Sequence, residues 1–287
     1  MYRIQELQSL SECAEAHLFS NMSETELYHY NEPKEGLFVA ESPNVILRAL
    51  EAGYEPICLL TDRKYLNTQA VAVLEALQKT EREVPVYAAS QEELQSQVTG
   101  YEMTRGMWCL MERKKQQPID ELLEGAKRIV VLENVMNPTN VGAIFRNAAA
   151  LGMDAVLLTE GSSDPFYRRA ARVSMGTVFQ IPWAFLPGKW SRPGKPDYIG
   201  QLRDRFGFYS VAMALRDDTK DIDDPGLSAR EKLAVIMGSE GPGLSQETIC
   251  ACDATVKIPM SHRVDSLNVA AAAAIAFWTL GNRSRNQ

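Results

Sequence analysis

The chain has 287 residues, of which 45% are hydrophobic and 23% charged, and its formal net charge is −7. These values are typical of a globular protein with an ample core, and they argue against a strongly basic, general nucleic-acid binder. The longest nearly apolar run, from Leu267 to Leu280, contains Asn268 and is shorter than the roughly 20 residues that span a bilayer. We therefore expect a buried helix there, no membrane contact and no secretory leader.

Five cysteines are scattered along the chain without a C-x-x-C pair, and the sequence has only three histidines. This pattern argues against a zinc site or a disulfide framework. It predicts free thiols, most of them buried, and a cytoplasmic protein. Residues 1–116 hold 11 Lys and Arg against 18 Asp and Glu, so the first part of the chain is acidic.

Short apolar runs alternate with amphipathic stretches up to residue 112. The polar stretch 113–127, which contains a proline, predicts a linker between a first domain (1–112) and a second domain (128–287). For the first domain we predict strands at 37–40, 56–60, 85–88 and 106–112, and helices at 42–52, 64–79 and 90–97.

The second domain shows the same alternation, which predicts an α/β fold with a parallel sheet covered on both faces. The stretch 183–196, rich in proline and glycine, predicts a surface loop. The predicted strands are 128–132, 155–158, 176–181, 208–214, 233–237 and 255–258, and the predicted helices are 140–151, 165–171, 198–206, 245–251 and 266–280.

Three polar loops follow predicted strands of the second domain. Their sequences are ENVMNPTNVGAIFRNA from residue 133, GSEGPGLS from residue 238, and PM from residue 259 leading to SLNVA from residue 266. Because ligands bind at the carboxyl ends of strands in open α/β sheets, these loops predict one composite site.

The second loop has the two glycines of a phosphate-binding loop, but Leu244 stands where that motif needs lysine. No dinucleotide-binding G-x-G-x-x-G follows the first strand of either half, and no G-x-S-x-G is present. Glycines in this loop let the backbone approach a ligand, or they simply form a turn. Glu240 favours a site, since a turn that needs only flexibility has no use for a carboxylate.

Three of the other polar residues in these loops allow two interpretations each. Asn140 and Ser266 are either helix N-caps or site residues, and Asn268 offers a donor and an acceptor in a first helical turn. Arg146 forms either a surface salt bridge or a guanidinium fork for a phosphate. Arg168, Arg169 and Arg172, together with the basic residues 113–115, form either a phosphate track or a solvated basic face.

In their order and spacing, the three loops resemble the three motifs of the SpoU/TrmH family of RNA 2′-O-ribose methyltransferases, within the SPOUT superfamily. The resemblance covers residues 128 to about 281, and FVAES at 38–42 with RGM at 105–107 is similar to the small L30e-like substrate-binding domain of such enzymes. The resemblance implies a small L30e-like α/β domain followed by a C-terminal SPOUT-type parallel sheet with a deep trefoil knot, a rare exception to unknotted topology.

The resemblance also implies a homodimer with the active site near the subunit interface, S-adenosyl-L-methionine as the cofactor, no metal, and structured RNA (rRNA or tRNA) as the substrate. Asn147, His262 and Ala270 depart from residues that are common in the family. The implied cofactor contacts are Gly238, Ile258 and Leu267, and the implied catalytic residues are Asn140, Arg146, Glu240, Ser266 and Asn268.

A guanidinium stays protonated in proteins, so we expect Arg146 to bind the phosphate beside the target ribose and not to act alone as a base. A second hypothesis is a noncatalytic RNA-binding protein that retains the knotted scaffold, and a third is an enzyme that uses the cofactor pocket on another substrate. The intact set of Asn140, Arg146, Glu240 and Asn268 favours the RNA-modifying enzyme.

Overall fold

A computed structural model describes residues 1–99, 106–190, 197–216, 218–262 and 266–281. The chain forms two compact units. Unit 1 comprises Met1–Lys115 and Phe166–Gln180, and unit 2 comprises Gln116–Pro165 and Ile181–Gln287. The segment 166–180 thus belongs to unit 1, whereas the boundaries predicted from the sequence leave it with residues 128–287.

The first part of the chain supplies five strands and five helices among its described residues. In chain order they are β1 (Tyr2–Glu6), α1 (Ala16–Ser20), α2 (Glu24–His29), β2 (Leu37–Glu41), α3 (Pro43–Glu51), β3 (Pro56–Asp62), α4 (Val71–Leu77), β4 (Val84–Ala89), α5 (Gln91–Leu94) and β5 (Met107–Glu112).

The remainder of the described chain continues the alternation of helices and strands. Its elements are α6 (Ile119–Leu122), β6 (Arg128–Leu132), α7 (Pro138–Ala150), β7 (Ala155–Leu158), α8 (Arg168–Val173), β8 (Trp183–Phe185), α9 (Asp197–Phe206), β9 (Tyr209–Met213), β10 (Lys220–Asp221), α10 (Pro225–Ser228), β11 (Leu233–Met237), α11 (Gln246–Ala251), β12 (Ala254–Lys257) and α12 (Val269–Leu280).

Unit 1 contains a five-stranded mixed sheet in the order β1-β4-β3-β5-β2. Strand β5 runs antiparallel to both β3 and β2, while β1, β4 and β3 are mutually parallel. All four strands predicted for this region are present within a few residues of their predicted bounds. Strand β1 escaped prediction because its residues are mostly exposed and polar, as expected for the edge of a sheet.

The segment 166–180 is held in unit 1 by arginine contacts. The Arg168 guanidinium donates to the Phe19 carbonyl (2.9 Å), and Arg172 pairs with the buried Glu41 at the end of β2 (2.8 Å). Arg48 in turn donates to the Met175 carbonyl. Arg168 and Arg172 are therefore engaged within unit 1, which is neither the phosphate track nor the solvated face that the sequence suggested.

The prediction of a strand at 176–181 is wrong. Gly176 adopts a left-handed conformation (φ 83°) and starts a 3₁₀ helix at Thr177–Phe179, so its apolar residues do not extend into a sheet. The Phe179 ring packs on Phe38 and Phe166, with centroids 5.5 and 5.0 Å away. The strand that completes the second sheet is instead β8, which lies in the stretch predicted to be a loop.

Unit 2 contains a seven-stranded sheet in the order β10-β12-β9-β11-β6-β7-β8. Every neighbouring pair in it is parallel, which confirms the predicted parallel α/β fold. Strands β7 and β11 are wholly buried, because helices cover both faces of the sheet and apolar residues fill both sides of these strands.

Helices α7 and α12 pack against each other in unit 2. The Asn147 side chain of α7 donates to the Ala270 carbonyl in the first turn of α12 (2.9 Å), so the amide that departs from the family pattern joins the two helices. The far end of α12 is tied to β6, because Arg128 donates to the Leu280 carbonyl (2.8 Å). These contacts join the last turn of α7 to the first turn of α12 and the end of α12 to the sheet.

All five cysteines are free thiols, as predicted, and three of them are buried. Burial raises the pKa of Cys13 to about 11 and that of Cys252 to about 12, which keeps these thiols protonated and unreactive at neutral pH. In the ranges described above, no helix has the length and hydrophobicity needed to cross a membrane.

Candidate active site

The candidate site lies at the carboxyl edge of the sheet in unit 2. Strands β6, β11 and β12 are parallel members of this sheet, so their carboxyl ends lie on the same side. The three polar loops recognised in the sequence begin at these ends, and each leads into a helix: α7, α11 and α12 respectively. This edge is where open α/β sheets bind ligands.

The loop 238–244, which follows β11, folds tightly on itself. A Cβ added to Gly238 would lie 2.3 Å from the Gly243 carbonyl carbon and 2.4 Å from the Leu244 nitrogen. Ser239 and Gly243 form a bridge, and Gly241 and Gly243 have positive φ angles of 100° and 69°. Glycine is required here by close backbone approach and left-handed conformation, and not only by flexibility.

The segment between β12 and α12 ends in a helix cap. The Asn268 side chain accepts hydrogen bonds from the backbone N–H groups of Ala270 (2.9 Å) and Ala271, so Asn268 is the N-cap of α12. Ser266 therefore does not have the capping role that the sequence allowed. His262 has a positive φ of 56°, which explains why glycine is common at this position in the family it resembles.

Asn140 is buried and contacts Asn268 directly. The Asn268 amide donates to the Asn140 side-chain oxygen over 3.1 Å. Asn140 does not cap its helix, because α7 begins after Asn137, whose side chain accepts from the Thr139 N–H (2.9 Å). The structure thus brings a residue of the first motif against a residue of the third.

A pocket of about 900 Å³ opens between the loop 238–244 and the described residues 258–260 and 266–269. Its size is in the range of pockets that hold a cofactor-sized ligand. Six of the eight residues predicted for the site line it, namely Gly238, Glu240, Ile258, Ser266, Leu267 and Asn268. Asn140 reaches this group through its hydrogen bond to Asn268.

The pocket has a negative lining. Its charged residues, among those the structure describes, are the carboxylates of Asp221 and Glu240 and the ammonium of Lys257. Lys257 and Asp221 pair over 3.6 Å, which leaves Glu240 as the excess charge. Apolar contact is available at the same pocket from Leu215 and Met260, both of which are solvent-exposed. The lining therefore suits a ligand with an apolar part and a positive charge.

Arg146 lies on α7 and is exposed. Its guanidinium has no hydrogen-bond or ion-pair partner among the residues that the structure describes, so the surface salt bridge considered from the sequence is absent there. Arg146 is six residues after Asn140, which corresponds to about 9 Å along a helix. It is not one of the pocket-lining residues, and its guanidinium is available to a ligand that extends beyond the pocket.

Sequence reasoning overlooked several residues at this edge. Asp221 and Lys257 meet only because the two-residue strand β10 pairs with β12, and no pattern in the sequence foretells so short a strand. Glu133 was part of the first motif but received no role, although a carboxylate directly after a buried strand was a usable signal. It is 6% exposed and accepts hydrogen bonds from Tyr198 and Thr248 (both 2.6 Å).

The sequence model of the SpoU rRNA methylase family matches residues 127–278. An uncharacterised tRNA/rRNA methyltransferase of Mycobacterium bovis is 35% identical over 245 residues, which cover 84% of this chain and 80% of that protein. The 23S rRNA (guanosine(2553)-2′-O)-methyltransferase RlmP of Bacillus subtilis is 31% identical over 161 residues, 56% of this chain and 60% of that one.

Solved structures give the same picture of the fold. A crystal structure of an rRNA methyltransferase from Sinorhizobium meliloti superposes with a TM-score of 0.75 at 23% identity, over 96% of this chain and 97% of that one. Another structure of the S. meliloti rRNA methyltransferase is described as bound to AdoMet. Both the sequence match over more than half of the chain and the shared α/β fold lead to one conclusion: the chain belongs to the SpoU rRNA methylase family.

Proposed function

We propose that this protein transfers a methyl group from S-adenosyl-L-methionine to a ribose 2′-hydroxyl of structured RNA. The observation that carries the proposal is the convergence of the second and third motifs on one pocket, with Asn140 of the first motif hydrogen-bonded to its wall. The 2′-oxygen as the acceptor follows the resemblance, and the named activity of the B. subtilis relative agrees with it.

The pocket residues fit this cofactor. A sulfonium ion is cationic, and the excess carboxylate of the lining favours a positive charge. The tight loop at Gly238 exposes backbone groups, and Ile258 and Leu267 stand on the opposing segment. In the proposal, Gly238, Ile258 and Leu267 hold the cofactor, mainly through backbone groups and apolar contact.

The side chains then have to align the RNA. When bound, the cofactor would supply an electrophilic methyl carbon to the ribose oxygen, with S-adenosylhomocysteine as the leaving group and water as the acceptor of the hydroxyl proton. Arg146 binds the phosphate next to the target ribose, since its free, planar fork of donors matches a phosphate. Alignment of this kind can supply most of the acceleration for a reaction with a good leaving group.

Asn140, Glu240, Ser266 and Asn268 complete the proposed catalytic set. Asn268 uses its oxygen to cap α12 and its amide to orient Asn140, so the two amides are held in one arrangement. Glu240 and Ser266 line the pocket and offer a carboxylate and a hydroxyl to the target ribose. A noncatalytic scaffold, the alternative hypothesis, has no need for this prearranged group.

The remaining parts of the proposal concern architecture and substrate. We propose that the segment after β12 passes through a loop of unit 2 as a deep trefoil knot, which agrees with its position beside the loop 238–244 at one pocket. Residues 1–112 act as an L30e-like substrate-binding domain. The substrate is rRNA or tRNA, and the free cysteines agree with a cytoplasmic location, where such RNA is modified.

We further propose that the enzyme is a homodimer with α12 at the interface. One face of α12 carries the exposed apolar residues Ile275 (37% exposed) and Trp278 (64%), three residues apart and thus neighbours on the helix. Helix α12 packs on α7, which carries Arg146, so an interface here lies close to the catalytic residues. A second copy of this chain is the occupant that the family resemblance implies.

Ile275→Glu is expected to convert the dimer to a monomer, because the charge would lose its hydration inside an apolar interface. Light scattering after size-exclusion chromatography measures the change. The control is Val71→Glu, at a residue of similar exposure (40%) on α4 of unit 1, which should leave the dimer intact. An Ile275→Glu protein that remains dimeric would place the interface elsewhere.

S-Adenosylhomocysteine is expected to bind once per subunit, and Asn268→Ala is expected to raise its Kd about tenfold. The variant loses an N-cap that is worth about 1 kcal/mol. The residues of the third motif that line the pocket are then no longer held against the start of α12. Calorimetric titration measures both values. The control is Asn137→Ala, which removes the corresponding cap of α7 at a residue outside the pocket lining and should leave the Kd unchanged. Absence of binding to the folded wild type would refute the proposed methyl transfer.

A further inference from the structure

Glu133 holds both ends of the loop 238–244. Its backbone N–H donates to the Met237 carbonyl (2.8 Å), immediately before the loop, and its side-chain oxygen Oε1 accepts from the Ser245 N–H (3.2 Å), immediately after it. One residue at the end of β6 thus closes the loop that follows β11 in the sheet.

The carboxylate of Glu133 is fully satisfied where it lies. Its second oxygen, Oε2, accepts from the Tyr198 hydroxyl and the Thr248 hydroxyl, each at 2.6 Å. Three donors therefore surround a side chain that is only 6% exposed. Burial of the Tyr198 hydroxyl next to this carboxylate raises its pKa well above the usual value, so Tyr198 remains a donor.

The loop between the two tied ends lines the pocket. Met237 and every residue from Gly238 to Leu244 face it, while Glu133 is outside the lining. Within the loop, the bridge between Ser239 and Gly243 leaves little freedom. The position of the whole loop relative to the sheet therefore depends on the anchors at Met237 and Ser245.

We propose that Glu133 is a positioning residue for the cofactor pocket. Its hydrogen bonds to Met237 and Ser245, which we call the clasp, hold the loop 238–244 in the shape that binds S-adenosylmethionine. This inference rests on the proposed function, because it takes the pocket to be the cofactor site. Glu133 acts only through the loop, and its hydrogen bonds determine where the backbone groups of Gly238 to Leu244 stand.

The arrangement predicts how two substitutions should differ. Glutamine at position 133 can keep its oxygen on the Ser245 N–H, while its amide donates to the Tyr198 and Thr248 hydroxyls, which rotate to accept. Leucine has a similar size but no acceptor, and it leaves the Ser245 N–H and the buried hydroxyls of Tyr198 and Thr248 without this partner. Glu133→Gln should therefore preserve the clasp and Glu133→Leu should open it.

The experiment is calorimetric titration of the full-length protein with S-adenosylhomocysteine, alongside thermal unfolding. We expect Glu133→Leu to raise the Kd about tenfold or more, in line with the loss of a buried hydrogen-bond acceptor, and Glu133→Gln to stay within about threefold of wild type. The matched control is Asp253→Leu. Asp253 accepts from the Ser210 N–H (2.8 Å) and hydroxyl and from Arg203, but it is not in the pocket lining.

The outcomes separate the clasp from a general loss of stability. Asp253→Leu should lower the unfolding temperature and leave the Kd within about twofold of wild type, because its network does not reach the loop. Unchanged affinity in Glu133→Leu would overturn the inference, and so would equal losses in Glu133→Leu and Asp253→Leu, or in Glu133→Leu and Glu133→Gln. A wild type that does not bind the ligand would instead refute the proposed function.

A second pair of variants serves if Glu133→Leu does not fold. Ser245→Pro removes the N–H that donates to the Glu133 carboxylate. The φ of Ser245, −64°, is one that proline adopts. Ser245→Ala removes the same hydroxyl cap but keeps the N–H. We expect the proline variant to raise the Kd about tenfold relative to the alanine variant. Equal affinities in this pair would contradict the clasp.

Discussion

Arg146→Ala is expected to lower the methylation rate constant kcat on the RNA substrate at least about 100-fold, a loss typical of removing one essential electrostatic contact from a transition state. The affinity for S-adenosylhomocysteine and the unfolding temperature should stay at their wild-type values. Arg146 is exposed, has no partner among the described residues and does not line the pocket, so the folded protein without RNA does not depend on it. Single-turnover methylation with labelled cofactor measures the rate.

Arg146→Lys tests how the charge acts. Lysine keeps the positive charge but presents a point charge in place of a planar fork, so alignment of a phosphate should be poor and the rate should fall by at least about tenfold. A lysine variant close to wild type would show that charge alone suffices and that the fork-like alignment is the wrong account. Arg205→Ala, on α9 of unit 2, is the control for a general loss of surface charge.

Gly238→Ala is expected to lower the affinity for S-adenosylhomocysteine at least about tenfold. The new methyl group would lie 2.3 Å from the Gly243 carbonyl carbon and 2.4 Å from the Leu244 nitrogen. Backbone atoms at these distances have to move, and overpacking of this kind destabilises by about 1–3 kcal/mol. The displaced backbone is the wall of the pocket itself, so binding should fall together with the unfolding temperature. Calorimetry and thermal unfolding measure the two effects.

The matched control for this substitution is Gly200→Ala. Gly200 lies in the interior of α9, where the nearest atom to an added Cβ is the Asp204 carboxylate at 3.9 Å. Alanine favours a helix over glycine by about 1 kcal/mol, so this variant should be slightly stabilised and bind as the wild type does. If Gly238→Ala also bound normally, the loop 238–244 would not form the cofactor site.

The predicted alternation of strands and helices is confirmed where burial is strongest. Strands β6, β7 and β11 match their predicted bounds, because a strand that is apolar on both faces has to lie inside a sheet that is covered on both sides. The edge strands β1 and β10 and the short strand β8 escaped prediction. Strands β1 and β10 carry little hydrophobic pattern, and β8, although apolar, has only three residues in a stretch rich in proline and glycine. The pairing of all three is decided by the neighbouring strand.

At the candidate site, too, local sequence identified some features and only the fold decided others. The three loops and their polar residues were found from local sequence, since a run of glycine, proline and asparagine after an apolar strand marks a loop. Whether Asn140 and Ser266 were caps could not be decided locally. The structure assigns the caps to Asn137 and Asn268 and joins Asn140 to Asn268, 128 residues apart.

The sequence by itself determined the parallel α/β core, the free thiols and the loops that form the pocket, because these depend on hydrophobic pattern and on the backbone needs of a few residues. Only the tertiary structure decided that the segment 166–180 lies in unit 1, that Lys257 meets Asp221, and that Glu133 ties the loop 238–244. These features are contacts between residues far apart in the chain. Their partners are selected by packing of the whole unit, which no local pattern records.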